Sequence, residues 1–295
     1  MRRFLLLILA AALCVSCLVS CDDRFDVDDV SEPFAGSAET VGVAASKAKV
    51  IILSGQSNAA GVAYVSEIPS ESAAKYAAGF DDILLNVNNS MSGHDTDGFV
   101  KTTTSWGDNH DGIWFGPEVG LAEQLTEEFP GEKFYIIKYA WSGAELESLF
   151  LPGKGAYKQL CKAVDDGLAA LREQGLDPEV VAFCWMQGES DACKRGPAKR
   201  YDGNQMKMVK ALRERYGGFF FLDAGISPSW PFYTRVNNAK VYADCVLEHC
   251  EYINSNYHGL VVSPNDIAHY DAPSMLKLGQ LFGSRIAQHI EIIGE

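Results

Sequence analysis

The chain has 295 residues, of which 47% are hydrophobic, enough for one large domain with a sizeable core. Its formal net charge of −14 at pH 7 argues against nucleic acid and anionic membrane surfaces as partners. A strong net charge also keeps a protein soluble, and we take solubility outside the cell as the reason for it.

Residues 1–20 are predicted to be a lipoprotein signal peptide. The segment begins with "MRR" and continues with "FLLLILAAALCV", the charged start and apolar run of a secretory signal. The run is shorter than the roughly 20 residues that a membrane-spanning helix needs. It ends at "LVSC", which resembles the bacterial lipobox, so we expect a lipid on Cys21. The expected location is the bacterial cell envelope, periplasmic or at the cell surface, with membrane contact through this anchor alone.

Residues 21–47 are predicted to form an acidic, disordered tether. The stretch "DDRFDVDDVSEP" contains six acidic residues against Arg24, and its apolar side chains are too few for it to fold. No internal repeat and no second linker follows in the sequence. We therefore expect a single domain over residues 48–295.

Five apolar runs predict the strands of this domain. They are "KVIIL" (49–53), "DILLNV" (82–87), "KFYIIKYA" (133–140), "VVAFCWM" (180–186) and "GFFFLDA" (218–224). The runs are nearly continuous, which indicates strands buried on both faces of a parallel sheet. Helical spacing recurs in "YKQLCKAVDDGLAAL", Pro197 is placed to begin another helix, and a last helix starts at about Pro273. The alternation predicts an α/β sandwich that binds ligands at the carboxyl ends of its strands.

A long polar segment, residues 88–117, interrupts this alternation. It contains Trp106, His110 and Trp114. Loops of this length inside a compact domain are functional or disordered. We expect this one to overhang the carboxyl edge of the sheet.

Five cysteines remain after Cys21. They are Cys161, Cys184, Cys193, Cys245 and Cys250. The odd number leaves at least one thiol unpaired even in an oxidising compartment, and the pairing of the others stays open. None of the spacings is that of a metal-ligand set, so no metal is expected.

Reactive side chains follow several of the predicted strands. Ser57 follows the first strand in "SGQSN", Gly143 follows the third in "KYAWSGAEL", and Gln187 follows the fourth in "WMQGESD". Asp266 and His269 stand three residues apart in "NDIAHYD", just before the last helix. Each signal alone is weak, because a Gly-x-Ser triplet is more often a turn and an isolated D-x-x-H is often a surface feature. Their places at the ends of successive elements favour one shared site.

Together these residues have the roles that acyl transfer requires. Ser57 is the candidate nucleophile, His269 the general base, and Asp266 the acceptor that orients the imidazole. The backbone amides of Ser57 and Gly143 and the side-chain amide of Gln187 are the candidate donors of an oxyanion hole.

Four segments carry a resemblance to a known family. "LSGQSNAAG", "KYAWSGAEL", "WMQGESDA" and "DIAHY" resemble the conserved blocks of SGNH-type hydrolases. Within these, the chain is most similar to the sialate O-acetylesterase-like branch, which includes the family-six carbohydrate esterases that deacetylate xylan. The resemblance covers residues 48–290. It implies a three-layer α/β/α sandwich with a flavodoxin-like parallel sheet, and deacetylation of sugar O-acetyl esters without metal or other cofactor.

Carried over by position, the resemblance assigns Ser57, His269 and Asp266 to a catalytic triad. Some relatives are argued to use the glutamate of the Q-G-E block as the triad acid, which makes Glu189 the alternative. The chain has Ser142-Gly143-Ala144 where the branch often has Gly-Gly-Thr. This departure puts the substrate contacts in doubt more than the chemistry.

The leading hypothesis is a lipid-anchored serine esterase that releases acetate from O-acetylated glycans, of the xylan type or carrying sialic acid. Candidate aromatic platforms for the sugar are Trp106, His110, Trp114, Trp141 and Trp230, although for any single one of them packing beneath a loop is the more common role. The alternatives are an esterase for other short-chain or lipid esters, and a catalytically idle glycan-binding lipoprotein. A flavin-binding protein fits poorly, since "AA" follows the first strand where a phosphate loop needs Ser, Thr and Gly.

Overall fold

The structure is a computed structural model that describes residues 45–88, 94–108, 112–264 and 266–293. Residues 1–20, most of residues 21–47, Cys21 and His110 lie outside the described residues. The signal peptide, the lipid anchor and the tether up to residue 44 therefore stay predictions, whereas Ser46 and Lys47, predicted as the end of the tether, belong to the first strand. By their contacts, the described residues form one compact unit.

A seven-stranded sheet forms the centre of the domain. The strands of the chain are β1 (Ser46–Gly55), β2 (Ala63–Tyr64), β3 (Phe80–Val87), β4 (Val100–Thr102), β5 (Trp114–Phe115), β6 (Phe134–Ala140), β7 (Leu176–Met186), β8 (Phe220–Ala224) and β9 (Cys250–Ile253). The sheet order is β4-β3-β6-β1-β7-β8-β9, and all pairs are parallel except β3 with β4. β2 and β5 pair separately as a short antiparallel ribbon.

Helices cover the sheet. They are α1 (Ser57–Ala60), α2 (Ser70–Ala78), α3 (Glu118–Glu128), α4 (Gly155–Glu173), α5 (Glu189–Ala192), α6 (Arg195–Tyr216), α7 (Tyr233–Val246) and α8 (Ala272–Ile293). A 3₁₀ turn at Val65–Glu67 and a π-helical turn at Leu146–Phe150 complete the described elements. α6 begins two residues before Pro197, so the proline lies inside the first turn and not at its first position.

The burial of the central strands confirms the predicted class. Val50 to Leu53 in β1 are completely buried, and every residue of β6 is buried, because both faces of the sheet are covered. The protein is thus an α/β sandwich with a mostly parallel sheet. Its strand order differs from that of flavodoxin in one respect, since β6 lies between β3 and β1.

The sheet order makes the end of β1 the place for a ligand. β6 pairs with one side of β1 and β7 with the other, and Gly55 at the end of β1 is level with Ala140 and Met186. The connections that leave these three strands consequently emerge side by side. In doubly wound sheets such a point holds the binding crevice.

The long polar segment is tied to the carboxyl end of β6. The Lys138 ammonium donates to the carbonyl of Trp106 and to the Glu118 carboxylate, both at 2.8 Å. Both charged side chains are buried, and the pair leaves neither charge uncompensated. The backbone N–H of Asp108 also donates to the carbonyl of Gly61 at 2.7 Å. The described part of the segment thus lies beside the corner where β1 ends.

The five cysteines of the described residues are all free thiols. Cys161 and Cys184 are buried, Cys250 is half-buried, and Cys193 and Cys245 are exposed. Among the described helices, none has both the length and the apolar character that crossing a membrane requires.

Candidate active site

Ser57 is the first residue of α1, directly beyond the central strand. Gly55 ends β1 with φ of +146°, and a Cβ on it would lie 1.9 Å from the carbonyl oxygen of Met186. Glycine is therefore required at this position, both by the backbone conformation and by the close approach of β7. The next residue, Gln56, donates its backbone N–H to the same carbonyl at 3.0 Å. The close contact of Gly55 and the hydrogen bond of Gln56 thus fix the turn against β7. In this position Ser57 is 8% exposed.

His269 and Asp266 form the pair that the sequence predicted. The Nδ1 atom of His269 lies 2.6 Å from Oδ2 of Asp266. The other oxygen of Asp266 accepts the backbone N–H groups of Ala268, at 2.7 Å, and of His269, at 3.3 Å. Burial raises the pKa of Asp266, but the hydrogen bond from His269 and those from the backbone outweigh it and hold the pKa below its ordinary value. The carboxylate is thus ionised and correctly placed to orient the imidazole.

The loop that carries His269 is fixed by its own backbone. Ser263 donates its N–H to the carbonyl of His269 at 2.9 Å, and Val262 forms an antiparallel bridge with Tyr270. Tyr270 is buried, and α8 begins two residues after it. The position of the imidazole is therefore set by a closed loop rather than by a free segment.

Asn58 connects this loop to the helix that carries Ser57. Its Nδ2 donates to the carbonyl of Ala268 at 3.2 Å, and its Oδ1 accepts the N–H of Tyr270 at 3.2 Å. The two residues that flank His269 are thus both bonded to the residue that follows Ser57, although some 210 positions separate them in sequence. Asn58 itself is 1% exposed. The structure in this way brings the serine and the histidine–aspartate pair into one corner of the sheet.

Glu189, the alternative triad acid, is bonded to Asn58 and not to His269. Its Oε1 accepts Nδ2 of Asn58 at 2.8 Å, whereas its Oε2 is buried without a hydrogen-bond partner among the described residues. Burial raises the pKa of Glu189, and the hydrogen bond from Asn58 offsets only part of this effect. In this geometry Asp266, and not Glu189, is the carboxylate on the imidazole.

Gly143 lies on the opposite side of the corner. It has φ of +74°, a conformation in which glycine is favoured, and nothing lies within 4 Å of the position that a Cβ would take. The N–H of Trp141 donates to the carbonyl of Gly55 at 3.0 Å, so the connection that leaves β6 is bonded to the end of β1. The Gly143 amide donates to no acceptor in the described part of the chain. It is available to a ligand.

The side-chain amide of Gln187 is not available in this way, contrary to the role predicted for it. Its Nε2 donates both hydrogens, to the carbonyl of Ala144 at 2.8 Å and to Oδ2 of Asp191 at 2.6 Å. Its Oε1 accepts the hydroxyl of Tyr201 at 2.9 Å, and the residue is completely buried. Asp191 also accepts the N–H of Leu146, and its burial raises its pKa to about 6. Gln187 therefore holds the connection after β6 in place.

Gln56 supplies an amide that the sequence analysis did not single out. Its Oε1 lies 3.4 Å from the backbone N–H of Gly188 and 3.3 Å from that of Ser190, which fixes the side chain against the end of β7. Its Nε2 donates to no acceptor among the described residues. The residue directly precedes Ser57, and this adjacency is the signal that could have identified it. Asn58, the last residue of "SGQSN", is also adjacent to Ser57 and could have been identified by the same signal.

The four described tryptophans among the candidate platforms are all half-buried. Trp106, Trp141 and Trp230 pack against the hydrophobic core. The indole nitrogens of Trp114 and Trp230 are buried without a partner within the described residues. Part of each indole is thus buried by packing. Contact between these tryptophans and a sugar stays a prediction for all four. Among the described residues, no three His, Cys, Asp or Glu side chains form a group that could hold a metal ion.

A mostly parallel sheet, a serine beyond its central strand and a nearby histidine–aspartate pair are the features expected of an SGNH-type hydrolase, a class of carboxylic-ester hydrolases. The sequence profile of the family described as "Carbohydrate esterase, sialic acid-specific acetylesterase" matches residues 47–288. The chain belongs to this family, which confirms the resemblance seen in the sequence. No curated protein sequence matches the chain.

Solved structures share the fold. A protein from Arabidopsis thaliana matches with a TM-score of 0.64 and 18% identity, over 81% of this chain and 98% of its own. NanS matches with a TM-score of 0.59 and 14% identity, over 84% of this chain and 99% of its own. A carbohydrate acetylesterase from Xanthomonas citri matches with a TM-score of 0.57 and 17% identity, over 83% of this chain and 57% of its own. At these identities the likeness concerns the fold.

Proposed function

We propose that the protein releases acetate from O-acetylated glycans through an acetyl-enzyme on Ser57, with His269 as base and Asp266 as its orienting acid. The observation that carries this proposal is the pair of hydrogen bonds between the Asn58 side chain and the two residues on either side of His269. It joins the start of α1 to the loop of the histidine–aspartate pair. Membership of the acetylesterase family supports an acetyl group as the acyl part and a sugar as the alcohol part.

The reaction has two halves, and in each half His269 first accepts a proton and then donates it. His269 accepts the proton of the Ser57 hydroxyl as its oxygen attacks the acetyl carbonyl, while Nδ1–H of the imidazole donates to Asp266. The ester bond then breaks, and the sugar oxygen takes the proton from His269 and leaves. Water attacks the acetyl-serine with His269 again as base, and acetate leaves as Ser57 regains its proton. Asp266 stays ionised throughout.

The charge that develops on the carbonyl oxygen requires hydrogen-bond donors. We assign this role to the backbone amides of Ser57 and Gly143 and to Nε2 of Gln56. The first backbone amides of a helix lack acceptors within that helix, which applies to Ser57. The backbone amide of Gly143 and the side-chain Nε2 of Gln56 have no acceptor among the described residues. Gln187 acts indirectly, because its hydrogen bond to the carbonyl of Ala144 fixes the residue that follows Gly143.

The variant Gln56→Glu tests this assignment. Glutamate keeps an oxygen for the backbone N–H groups of Gly188 and Ser190 and replaces only the donor by a carboxylate oxygen. We expect kcat to fall by about 10²–10³-fold, the usual loss for one oxyanion donor, with a far smaller change in KM. Steady-state kinetics with 4-nitrophenyl acetate measures this, and the thermal unfolding midpoint of the variant serves as control. A folded variant with normal kcat would remove Gln56 from the oxyanion hole.

Acetate release from a panel of acetylated xylan, pectin, mannan and sialosides tests the function itself. We expect release from at least one glycan of the panel and little hydrolysis of octanoyl esters. The polar character of residues 94–108, which the bond from Lys138 to Trp106 ties to the end of β6, argues against an apolar channel for a long acyl chain. Efficient hydrolysis of octanoyl esters with no release from any glycan would favour the lipid-ester alternative.

A further inference from the structure

A concave surface away from Ser57, here called the asparagine–tyrosine cleft, lies at the carboxyl end of β9. It has a volume of about 460 Å³ and lies between the first half of α7 and the turn that follows β9. Its lining includes Tyr233, Asn238, Tyr252, Asn254, Asn256 and Tyr257. The carboxyl ends of parallel strands share one edge of a sheet, so the cleft opens at the same edge as Ser57.

The chemistry of the cleft is uncharged. None of the nine described residues that line it is acidic or basic, although the chain as a whole carries a net charge of −14. Asparagine side chains offer both a donor and an acceptor, and tyrosine offers a flat apolar face with a hydroxyl. Sugar hydroxyls likewise donate and accept, and a pyranose ring presents a face of C–H groups. Phosphate, carboxylate or metal ligands would require charges that the lining lacks.

Three of the side chains that could meet a ligand are exposed, and the turn that carries one of them is fixed by a hydrogen bond. Tyr257 is 84% exposed, and Asn238 and Asn256 are exposed beside it. Oδ1 of Asn254 accepts the N–H of Tyr257 at 3.1 Å, which fixes the turn that presents the tyrosine ring. A large aromatic side chain so exposed has little packing to explain it. Its place in a neutral cleft points to a ligand.

Two contacts link the cleft to the loop of the candidate active site. The hydroxyl of Tyr270, the residue after His269, donates to the carbonyl of Gly225 at 3.3 Å. Gly225 in turn lies against the ring of Tyr252, since a Cβ on it would be 2.6 Å from the Tyr252 hydroxyl oxygen. Tyr252 lines the cleft. The cleft lies along the same edge of the sheet as the reacting centre, on the side of β7, β8 and β9.

We propose that the asparagine–tyrosine cleft is a subsite for an uncharged sugar residue of the substrate, at a distance from the acetylated one. The proposal rests on the proposed function and extends it. The enzyme then acts on an oligosaccharide or polysaccharide in preference to the free acetylated monosaccharide.

The experiment compares the wild-type protein with Tyr257→Ala and Asn238→Ala, and with Tyr242→Ala as matched control. Tyr242 is 51% exposed on α7 but does not line the cleft. Each protein is assayed on 4-nitrophenyl acetate, on the best acetylated oligosaccharide of the panel and on the acetylated monosaccharide of the same sugar. In the two cleft variants we expect KM for the oligosaccharide to rise by about tenfold. The two small substrates and Tyr242→Ala should show wild-type values.

An unchanged KM for the oligosaccharide, or an equal loss on all three substrates, would overturn the subsite. The outcome for the proposed function is separate, because that function fails if the wild-type protein deacetylates no sugar at all. In that event, binding of xylohexaose and mannohexaose to the wild-type protein and the variants, measured by calorimetry, decides on the cleft. Binding that Tyr257→Ala abolishes and Tyr242→Ala preserves supports it. Absent binding, or binding that Tyr257→Ala leaves unchanged, rejects it.

Discussion

Replacing Ser57 by alanine is expected to lower kcat for acetate release by on the order of 10⁴–10⁶-fold, as with other serine nucleophiles. The hydroxyl oxygen is the atom that carries the acetyl group, and no neighbour in the first turn of α1 can replace it, because Asn58, Ala59 and Ala60 follow. Alanine is also the best helix former, so α1 should be preserved. Acetate release and the thermal unfolding midpoint, measured on the same preparation, separate loss of chemistry from loss of fold.

Ser54→Ala is the matched control for this variant. Ser54 lies three residues earlier in β1, is completely buried, and its hydroxyl has no hydrogen-bond partner in the described part of the chain. Removing an unsatisfied hydroxyl should leave turnover unchanged. A serine-reactive phosphonate should label the wild-type protein and Ser54→Ala, but not Ser57→Ala. Normal turnover by Ser57→Ala, or a wild-type protein that neither takes the label nor releases acetate, would contradict the serine mechanism.

Asp266→Asn is expected to lower kcat/KM by about 10⁴-fold, the loss seen when a triad aspartate becomes an amide. The carboxylate accepts Nδ1–H of His269 and balances the charge that the imidazole gains. An asparagine can present its NH₂ group to Nδ1 instead, which stabilises the wrong tautomer. The low pKa of Asp266, which the hydrogen bond from His269 maintains against burial, keeps the wild-type acceptor ionised.

Glu189→Gln is the comparison that identifies the acid. A glutamine can still accept the hydrogen bond from Asn58 through its oxygen, so the link to the His269 loop is kept. Burial already raises the pKa of Glu189, and a neutral side chain should be tolerated there. We expect a loss at least a hundred times smaller than for Asp266→Asn, in line with a group that does not contact the imidazole. The reverse order of the two effects, in folded proteins, would make Glu189 the triad acid.

The fold was largely predictable because its central strands are buried on both faces. The five strands inferred from continuous apolar runs all exist, and β1, β3 and β7 are longer than the runs by a few residues. The two edge strands of the sheet, β4 and β9, were not predicted. They have three and four residues, and β9 owes its place to pairing with β8 rather than to an apolar pattern of its own. Local sequence carries little information about such strands.

The candidate site likewise has residues that the sequence predicts and residues that it does not. Gly55, Ser57 and the pair Asp266–His269 could be inferred from the sequence, because a strand end, a turn and a three-residue spacing are local properties. Which glutamine keeps a free amide could not be inferred. The side-chain amide of Gln187 bonds to Ala144, Asp191 and Tyr201, which lie on three different elements or connections, and no sequence motif indicates that they meet.

The sequence by itself determined the class of sheet, the ends of its central strands and the types of reactive side chain that stand there, since hydrophobic runs and short motifs act over a few residues. Only the tertiary structure decided which amides remain free, that Glu189 is bonded to Asn58 and not to the imidazole, and that Asn58 joins the helix of Ser57 to the loop of His269. The hydrogen bonds of Asn58 and of the Gln56 side chain join residues more than 100 positions apart, and a buried donor takes whichever partner the packed fold brings within reach.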